Sequence, residues 1–327
     1  SLSVRPSTAC STETTERTAD VTTTIAERRV LIVGHPRRSD IPDMARTVLD
    51  RLHVDGMRGM LLASEAERLG LQDHPATRLA DPSAPARGCE VVCVLGGDGT
   101  ILWAAELAWG SGVPLLGVNL GHVGFLAEAE REELYATVDR IAARDYTVEE
   151  RLALEVVGML DGEVFYRGWA LNEVSIEKAA RERMLELTVE VDGRPLSTWG
   201  CDGVIVATPT GSTAYAFSAG GPVVWPDVET LLLVPLSAHA LFSRPLVVGP
   251  ASVLAVEIIP DTEGCGVVWA DGRRSIDLPP GARLAVRRSP DRIRFARLSS
   301  APFTDRLVAK FDLSVHGWRG RGRSSAQ

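Results

Sequence analysis

Short apolar runs alternate with stretches of helical periodicity in the first half of the chain. The run at 90–95 is near-continuous and β-branched, as in a strand that is covered on both faces, and the runs at 30–33 and 113–118 are also predicted to be strands. A helix start is marked at Asp40, after which apolar residues return every three or four positions. This alternation predicts an α/β domain with a parallel, doubly wound sheet, which we place at 28–146.

The elements between these runs are less sharply defined. Residues 60–63 are apolar enough to form the next strand, whereas 72–88 is polar, contains proline and is predicted to be a connection. The helix that follows the run at 90–95 is expected to begin near Thr100.

Beyond about Asp145 the apolar runs become shorter and alternate with polar residues. Three Asp-Gly pairs, which begin at Asp161, Asp192 and Asp271, each lie between strand-like segments. Such pairs are typical of β-hairpins. The pattern therefore predicts a β-rich, β-sandwich-like domain over 147–298.

The two ends of the chain differ from the regions between them. Residues 1–27 are rich in Ser and Thr and are predicted to form a disordered lead-in, since they lack the apolar core of a secretory signal. Residues 299–327 contain apolar positions that favour packing back on the first domain, followed by a basic tail.

Composition narrows the function classes. Of the 327 residues, 45% are hydrophobic, which excludes a disordered polypeptide, and the apolar runs are far shorter than the ~20 residues of a membrane-spanning helix. The net charge of −8 provides no basic footprint for nucleic acid. Five scattered cysteines without a Cys-x-x-Cys pair indicate a reducing, cytoplasmic compartment, and the histidine spacing predicts no metal held by the protein.

Arginine supplies nearly all of the positive charge, because Lys178 and Lys310 are the two lysines of the chain. Neither follows a glycine-rich loop. This excludes nucleotide-binding motifs that depend on a phosphate-coordinating lysine.

A glycine-rich loop, Gly96-Gly97-Asp98-Gly99-Thr100, lies between a buried strand and a helix. Its glycines let the backbone turn tightly and approach a phosphate, and the helix start directs N–H groups at an anion. A carboxylate is unexpected in a phosphate cradle. One interpretation is that Asp98 caps the helix, accepts a proton or holds a metal ion. The alternative is that the loop is a plain turn without a function.

Three further segments carry polar or small side chains in dense runs. The segment 208–215, Thr-Pro-Thr-Gly-Ser-Thr-Ala-Tyr, offers short hydroxyl donors to ribose, amide or phosphate groups, or forms an ordinary polar loop. Asn172-Glu173 could grip a vicinal diol or form a turn. The segment 119–126, which contains His122, follows another buried strand and should reach the same edge of the sheet as the glycine loop.

Together, the four motifs resemble the NAD kinase family in order and spacing, over roughly 30–311. The glycine loop is shared with diacylglycerol and sphingosine kinases, whereas Asn172-Glu173 combined with 208–215 is highly specific. The resemblance implies an α/β domain and a β-sandwich-like domain with a site between them. It also implies transfer of a phosphoryl group from a nucleoside triphosphate to the 2′-hydroxyl of the adenosine ribose of NAD, giving NADP.

The resemblance further implies roles for individual residues. Asp98 would be the general base on the 2′-hydroxyl, with Gly99 beside it, while Asn172 and Glu173 would hold the ribose region. The remaining residues implied to contact NAD or the nucleotide are Phe125 near the adenine, Arg183, Asp202, Thr210, Thr213, Ala214, Tyr215, Ser218 and Arg273. Trp103 and Gly200 stand where many relatives have polar side chains, so the resemblance implies no contact for them.

The reaction implies further components. Without a lysine clamp, Mg²⁺ or another divalent cation on ATP, assisted by arginines, should neutralise the phosphates. The family resemblance also implies a homo-oligomer, dimer or tetramer, and leaves open whether polyphosphate replaces ATP. The alternatives are a lipid kinase of the diacylglycerol or sphingosine type and a non-catalytic NAD-binding regulator; a Rossmann dehydrogenase is disfavoured because no Gly-x-Gly-x-x-Gly follows the first strand.

Overall fold

A computed structural model describes residues 27–120, 124–127, 129, 133–180, 184–261, 264–299 and 301–315. The strands of the first half are β1 (Arg29–Gly34), β2 (Arg58–Leu61), β3 (Thr77–Leu79), β4 (Val91–Leu95) and β5 (Leu115–Val118). The helices that accompany them are α1 (Ile41–Val54), α2 (Ala63–Leu69), α3 (Asp98–Ala108) and α4 (Leu134–Ala143).

The first five strands pair in parallel in the order β3-β2-β1-β4-β5, so the strand order reverses between β1 and β4. The strands β1, β4 and β5 are buried along almost their whole length because this part of the sheet is covered on both faces. One face packs on α1 and α4 through Val48, Leu52 and Val138 among others. The other packs on α3 through Ile101 and Ala105. The predicted doubly wound sheet is confirmed.

Three local predictions need correction. The strand predicted at 60–63 is β2, which begins at Arg58 and ends at Leu61, because Ala63 already starts α2. The stretch 72–88 contains the short strand β3. Asp40 precedes α1, but its carboxylate accepts from Arg38 rather than from the helix.

The second half is built of antiparallel strands. They are β6 (Thr147–Leu160), β7 (Glu163–Ala170), β8 (Glu173–Lys178), β9 (Leu185–Val191), β10 (Arg194–Cys201), β11 (Gly203–Ala207), β12 (Leu231–Leu236), β13 (Leu246–Val248), β14 (Leu254–Ile258), β15 (Gly266–Ala270), β16 (Arg274–Leu278) and β17 (Arg283–Arg297). A 3₁₀ turn (Thr210–Thr213), α5 (Tyr215–Ser218) and α6 (Phe303–Phe311) complete the described chain.

Two sheets enclose the apolar core of the second half. One has the order β13-β12-β11-β8-β15-β16, and the other includes β6, β7, β9, β10, β14 and β17. Ile176 of β8 and Val206 of β11 belong to the same buried cluster as Trp199 of β10 and Leu254 of β14, so side chains from both sheets build one core. The expected β-rich, sandwich-like architecture is therefore present.

Tight hairpins and one long strand shape this half. At each predicted Asp-Gly turn the aspartate has a positive φ, for example +51° at Asp161 with +82° at Gly162, which suits a turn between strands. The strand β17 pairs with β14 and β6, and at Phe295 it also pairs in parallel with Leu115 of β5. The parallel sheet thus continues into the antiparallel one.

Candidate active site

The glycine loop connects β4 to α3 and has little room for side chains on one side. A Cβ on Gly96 would lie 2.3 Å from Thr100 Oγ1, whereas a Cβ on Gly97 or Gly99 would meet open space. The helix begins at Asp98, two residues before the predicted start, with Gly97 in an extended conformation as its N-cap. The first N–H groups of α3 and its dipole are therefore available to an anion.

Asp98 is held by a neighbouring backbone segment. Its Oδ2 accepts from the Phe125 N–H at 3.2 Å, and its Oδ1 accepts from the Leu126 N–H at 3.1 Å. A Cβ on Gly124 would lie 2.5 Å from Asp98 Oδ1, so the segment approaches as closely as glycine allows. In the described part of the chain no side chain caps the start of α3, so the capping alternative for Asp98 is wrong.

A cleft of about 630 Å³ opens in front of the loop. The predicted residues on its wall are Asp98, Gly99 and Arg273, and Trp103 lies there as well. The other lining residues are His35, Pro36, Arg38, Gly97, Thr100, Asn119, Leu120, Gly124 and Lys310. Lys310 comes from α6, so a distant segment brings a lysine to this cleft although neither lysine follows a glycine-rich loop.

The arginines of the cleft are tied to nearby carboxylates. Arg273 Nε lies 2.9 Å from Glu106 Oε1 on α3, and Arg38 Nη2 lies 2.8 Å from Asp40 Oδ2. These ion pairs fix the guanidinium groups while leaving further N–H donors for a ligand, because each guanidinium carries five.

Asn172-Glu173 lies where β7 turns into β8, and Asp271 holds that turn. The Asp271 carboxylate accepts from the N–H groups of Leu171, Asn172 and Glu173 at 2.9, 2.7 and 3.3 Å. Arg274 Nη2 donates to it at 3.1 Å. Asp271, at the predicted hairpin turn, thus also anchors the Asn-Glu motif. The sequence pattern did not reveal this second role.

Two buried polar atoms of this motif have no hydrogen-bond partner among the described residues. They are Asn172 Oδ1 and Glu173 Oε2, although each residue is only 7% exposed. Buried polar atoms are normally paired. A polar ligand that approaches both atoms would remove this cost.

The pKa of Glu173 is raised well above that of an ordinary carboxyl group. Burial and, after it, the charge of the neighbouring Asp271 raise its pKa to about 8, and the Tyr215 N–H that donates to it acts in the opposite sense. Burial also raises the pKa of Asp271. Three backbone donors and Arg274 stabilise the charge on Asp271, so we assign the proton of this pair to Glu173.

The segment 208–215 packs directly on the Asn-Glu turn. The Thr208 N–H donates to the Asn172 carbonyl at 2.9 Å, and Thr208 Oγ1 donates to the Leu171 carbonyl at 2.6 Å. A Cβ on Gly211 would lie 2.0 Å from the Asn172 carbonyl oxygen. Asn172-Glu173 and the segment 208–215, which carry the specific part of the resemblance, are therefore packed against each other.

The segment 208–215 contains four of the predicted site residues, and their exposure increases along the chain. They are Thr210, Thr213, Ala214 and Tyr215. Tyr215 is 38% exposed, and burial followed by the charges of Glu177, Glu173 and Asp202 raises the pKa of its phenol. Ser218 is exposed at the end of α5.

Asp202 lies near the same phenol. It forms an ion pair with Lys178 Nζ at 2.6 Å, and hydrogen bonds from Lys178 and Ser237 lower its pKa. Its side chain is 46% exposed.

Phe125 presents its backbone to Asp98 and its ring to α6. The residue is 7% exposed, and its ring packs on Phe303 and Phe311, at 5.9 and 5.7 Å between centroids. Arg183 and His122, two candidates from the sequence, lie outside the described residues.

The two groups of motifs meet through the core. Leu171, immediately before Asn172, packs in the same apolar cluster as Ile101 of α3 and Leu126 beside Asp98. Trp109 at the end of α3 stacks on Trp169 of β7 at 3.9 Å, and Arg274 lies over the Trp169 ring at 4.3 Å. The glycine loop and the Asn-Glu turn are thereby fixed relative to one another.

Among the described residues, no group of three His, Cys, Asp or Glu side chains could hold a metal ion, and none of the described helices is long and apolar enough to cross a membrane. Four cleft residues, His35, Pro36, Arg38 and Lys310, were not predicted from the sequence. No local motif marks them, because each reaches the cleft through the tertiary fold.

Comparisons with known proteins match both halves of the chain. A family model described as the ATP-NAD kinase N-terminal domain matches residues 30–146, and one described as the ATP-NAD kinase C-terminal domain matches 171–298. The NAD kinase of Thermobifida fusca (strain YX) is 54% identical over 316 residues, which cover 94% of this chain and 97% of the relative. The NAD kinase of Leifsonia xyli subsp. xyli (strain CTCB07) is 57% identical over 299 residues, which cover 90% and 98%.

Solved structures agree with these matches. A crystal structure of yeast NADH kinase complexed with NADH superposes with a TM-score of 0.81 at 21% identity, covers 89% of each chain and supports the fold alone. An NAD kinase from Archaeoglobus fulgidus in complex with ATP superposes with a TM-score of 0.64 at 25% identity, covering 87% of this chain and 98% of that one.

Proposed function

The chain belongs to the NAD kinase family, and we propose on that premise that it transfers the terminal phosphoryl group of ATP to the 2′-hydroxyl of the adenosine ribose of NAD, giving NADP. The observation that carries the assignment to this chain's own residues is the position of Asp98. Its carboxylate lies on the wall of the cleft, at the start of a glycine-rich helix N-terminus, and is held there by two backbone N–H groups.

Asp98 acts as the general base in this proposal. A carboxylate fixed beside a phosphate-binding loop accepts the proton of the attacking hydroxyl as the bond to phosphorus forms. The loop N–H groups, Arg273, Arg38 and Lys310 stabilise the phosphate oxygens. Phosphoryl transfer depends mainly on positioning and charge neutralisation, and these residues supply both.

The Asn172-Glu173 turn binds the NAD side of the reaction. Asn172 Oδ1 and Glu173 Oε2 have no hydrogen-bond partner among the described residues, which supports a ligand with hydroxyl or amide groups. Glu173 in its protonated form can donate a hydrogen bond as well as accept one. Thr210, Thr213, Ala214, Tyr215 and Ser218 line the dinucleotide pocket, with Tyr215 placed to stack on a ring, and Asp202, Phe125 and Arg183 add contacts.

A divalent cation such as Mg²⁺ enters with ATP. In this proposal the cation is bound mainly by the phosphates, as Mg²⁺ commonly is. When bound, it neutralises charge on the triphosphate. Polyphosphate is the alternative donor in this proposal, because the cleft residues named above would bind phosphate groups rather than a base.

We place the protein in the cytoplasm as a homo-oligomer. The described cysteines are free, which supports a reducing compartment. Leu241, Phe242 and Val247 are exposed apolar side chains close in the chain, which supports self-association.

The proposal is tested with Asp98→Asn. The variant keeps the shape of the side chain but loses the base, so NADP formation from Mg-ATP and NAD should fall at least about a hundredfold while NAD binding persists. Asp145→Asn, which removes an exposed carboxylate paired with Arg140, is the control and should keep full activity. An undiminished turnover number in Asp98→Asn would refute the assigned base.

The same assay separates the alternatives. A lipid kinase would phosphorylate diacylglycerol and not NAD, and a non-catalytic regulator would bind NAD without turnover. The family matches support neither alternative.

A further inference from the structure

The backbone segment beside Asp98 is held by hydrogen bonds from two sides. The N–H groups of Phe125 and Leu126 donate to Asp98 Oδ2 and Oδ1 at 3.2 and 3.1 Å. The carbonyls of Phe125 and Ala127 accept from a single nitrogen, Arg306 Nη1, at 3.0 and 3.1 Å. Arg306 belongs to α6, so the final described helix binds the segment that holds the proposed base.

One peptide group takes part in both sets of bonds. The Phe125 carbonyl and the Leu126 N–H belong to the same peptide, whose planarity fixes their directions relative to one another. Arg306 donates to the oxygen of this peptide, and the N–H of the same peptide donates to Asp98 Oδ1. A rotation of the plane would therefore disturb both bonds. The cation on the carbonyl also polarises the peptide, which strengthens the N–H as a donor.

Aromatic contacts fix α6 on either side of Arg306. The rings of Phe303, before it, and Phe311, after it, pack on the Phe125 ring. Phe311 also stacks on Phe217 of α5, at 4.6 Å between centroids. The helix is thus attached both to the segment that holds the proposed base and to the segment proposed to line the dinucleotide pocket.

We propose that Arg306 is a positioning residue for phosphoryl transfer: by fixing the peptide between Phe125 and Leu126, it orients the N–H donor that holds Asp98. Arg306 lines a cavity other than the cleft, so it acts through the backbone rather than by contact with the substrates. The inference rests on the proposed function, and in particular on Asp98 as the base.

The consequence is a loss of turnover without a matching loss of substrate affinity. Small displacements of a reacting group slow the chemical step strongly. The residues proposed to bind NAD and the phosphates are not altered when Arg306 is replaced. We therefore expect kcat to fall while the KM values for NAD and ATP stay near those of the wild type.

Arg306→Met and Arg306→Lys form the test pair. Because both bonds come from one nitrogen, a lysine ammonium can replace them, whereas methionine keeps an apolar stem and has no donor. In steady-state NADP formation, kcat should fall at least about tenfold in Arg306→Met, with both KM values within about twofold of the wild type, and Arg306→Lys should recover part of the loss. The control Arg287→Met removes an exposed arginine that pairs with Glu155 and should keep the wild-type kcat.

A double substitution separates positioning from a general loss of structure. Since Arg306 acts through Asp98, Arg306→Met should change the residual turnover of Asp98→Asn by no more than about twofold. Damage to the fold would instead lower kcat by the same factor in both backgrounds. The far-ultraviolet spectrum and the Tm of each variant show whether the chain is folded at the assay temperature.

Three results would overturn this inference alone: a wild-type kcat in Arg306→Met, no recovery in Arg306→Lys, or equal losses in the wild-type and Asp98→Asn backgrounds. A wild-type chain that forms no NADP from Mg-ATP and NAD would overturn the proposed function and this inference with it. If Arg306→Met does not fold, Arg306→Gln, whose side chain is shorter and uncharged, takes its place under the same criteria.

Discussion

Three carboxyl groups of the site are alike in chemistry and differ through their surroundings. Asp98 receives two backbone N–H groups at the wall of the cleft. Asp271 receives three and adds Arg274, which makes it a buried structural anion. Glu173, beside Asp271, takes up a proton instead. The environment of each group thus distinguishes a proposed base, a buried anion that anchors a turn, and a group that favours its neutral, hydrogen-bonding form.

Gly124→Ala tests how closely Asp98 must be held. A Cβ at this position would lie 2.5 Å from Asp98 Oδ1, so either the carboxylate or the segment 124–127 has to move. We expect kcat for NADP formation to fall at least about tenfold, since small displacements of a reacting group are costly. Steady-state kinetics and a far-ultraviolet spectrum of the variant provide the measurement.

Gly249→Ala is the matched control, because a Cβ there meets nothing within 4 Å. It should leave kcat unchanged. Wild-type kcat in Gly124→Ala would show that Asp98 tolerates displacement.

Glu173→Gln tests the protonation of the buried carboxyl group. The folded-state pKa of about 8 lies above the ordinary value of about 4.3, so the folded chain holds the proton more tightly than the unfolded chain does. The free energy of unfolding contributed by this group is therefore largest below about pH 4.5 and falls as the pH rises toward 8. Because Gln cannot ionise, the variant does not show this decrease in the free energy of unfolding.

Urea unfolding of both proteins at pH 6 and pH 9 measures the difference. Wild type should lose about 1–3 kcal/mol more than Glu173→Gln over this range, at about 1.4 kcal/mol per pKa unit. Other titrating groups are common to both chains and cancel. If the free energies of unfolding of the two proteins changed equally with pH, Glu173 would not be the group that carries the proton.

At the scale of elements, an aromatic stack joins α3 to β7 and the hairpin that follows β15. Trp109 stacks on Trp169, and Arg274, which lies over that ring, also binds Asp271 and Glu106. The helix that begins at the phosphate loop is thereby fixed to the hairpin that anchors Asn172 and Glu173.

Trp109→Ala should lower the free energy of unfolding by about 2 kcal/mol, because it removes a partly buried ring and its stacking contact. Trp109→Phe keeps a ring in place and should recover most of the loss. Urea unfolding with a fixed m-value checks both. Equal stability of Trp109→Ala and the wild type would mean that the stack does not stabilise the fold.

The elements that the sequence predicted well are those encoded locally. The apolar runs of β1 and β4 and the Asp-Gly turns at 161, 192 and 271 carry their own signals. The short elements α2 and β3 were missed because seven and three residues hold too little periodicity to stand out. The pairing of Phe295 with Leu115 and the contact of Lys310 with the cleft depend on residues far apart in the chain, which no local pattern encodes.

The residues of the proposed site come from three parts of the chain. The glycine loop comes from the parallel strands, the Asn-Glu turn from the antiparallel strands, and Lys310 from the final described helix. The net charge of −8 means that attraction for anionic substrates is local, produced by helix N-termini and a few cations.

Because the chain has two lysines, the contribution of Lys310 to phosphate binding can be measured by chemical modification. An amine-reactive reagent can modify two lysine side chains, Lys178 and the exposed Lys310. Saturating Mg-ATP should slow modification of Lys310 about fivefold or more, since phosphate oxygens would cover its amine.

Lys178 is the internal control in the same sample, because it pairs with Asp202 beside Tyr215 rather than lining the cleft. Its modification rate should respond less to Mg-ATP than that of Lys310, and peptide mass spectrometry reads both rates at once. Equal protection of the two lysines, or none at Lys310, would show that α6 does not contribute to the phosphate-binding wall and that the donor is held by the glycine loop and arginines.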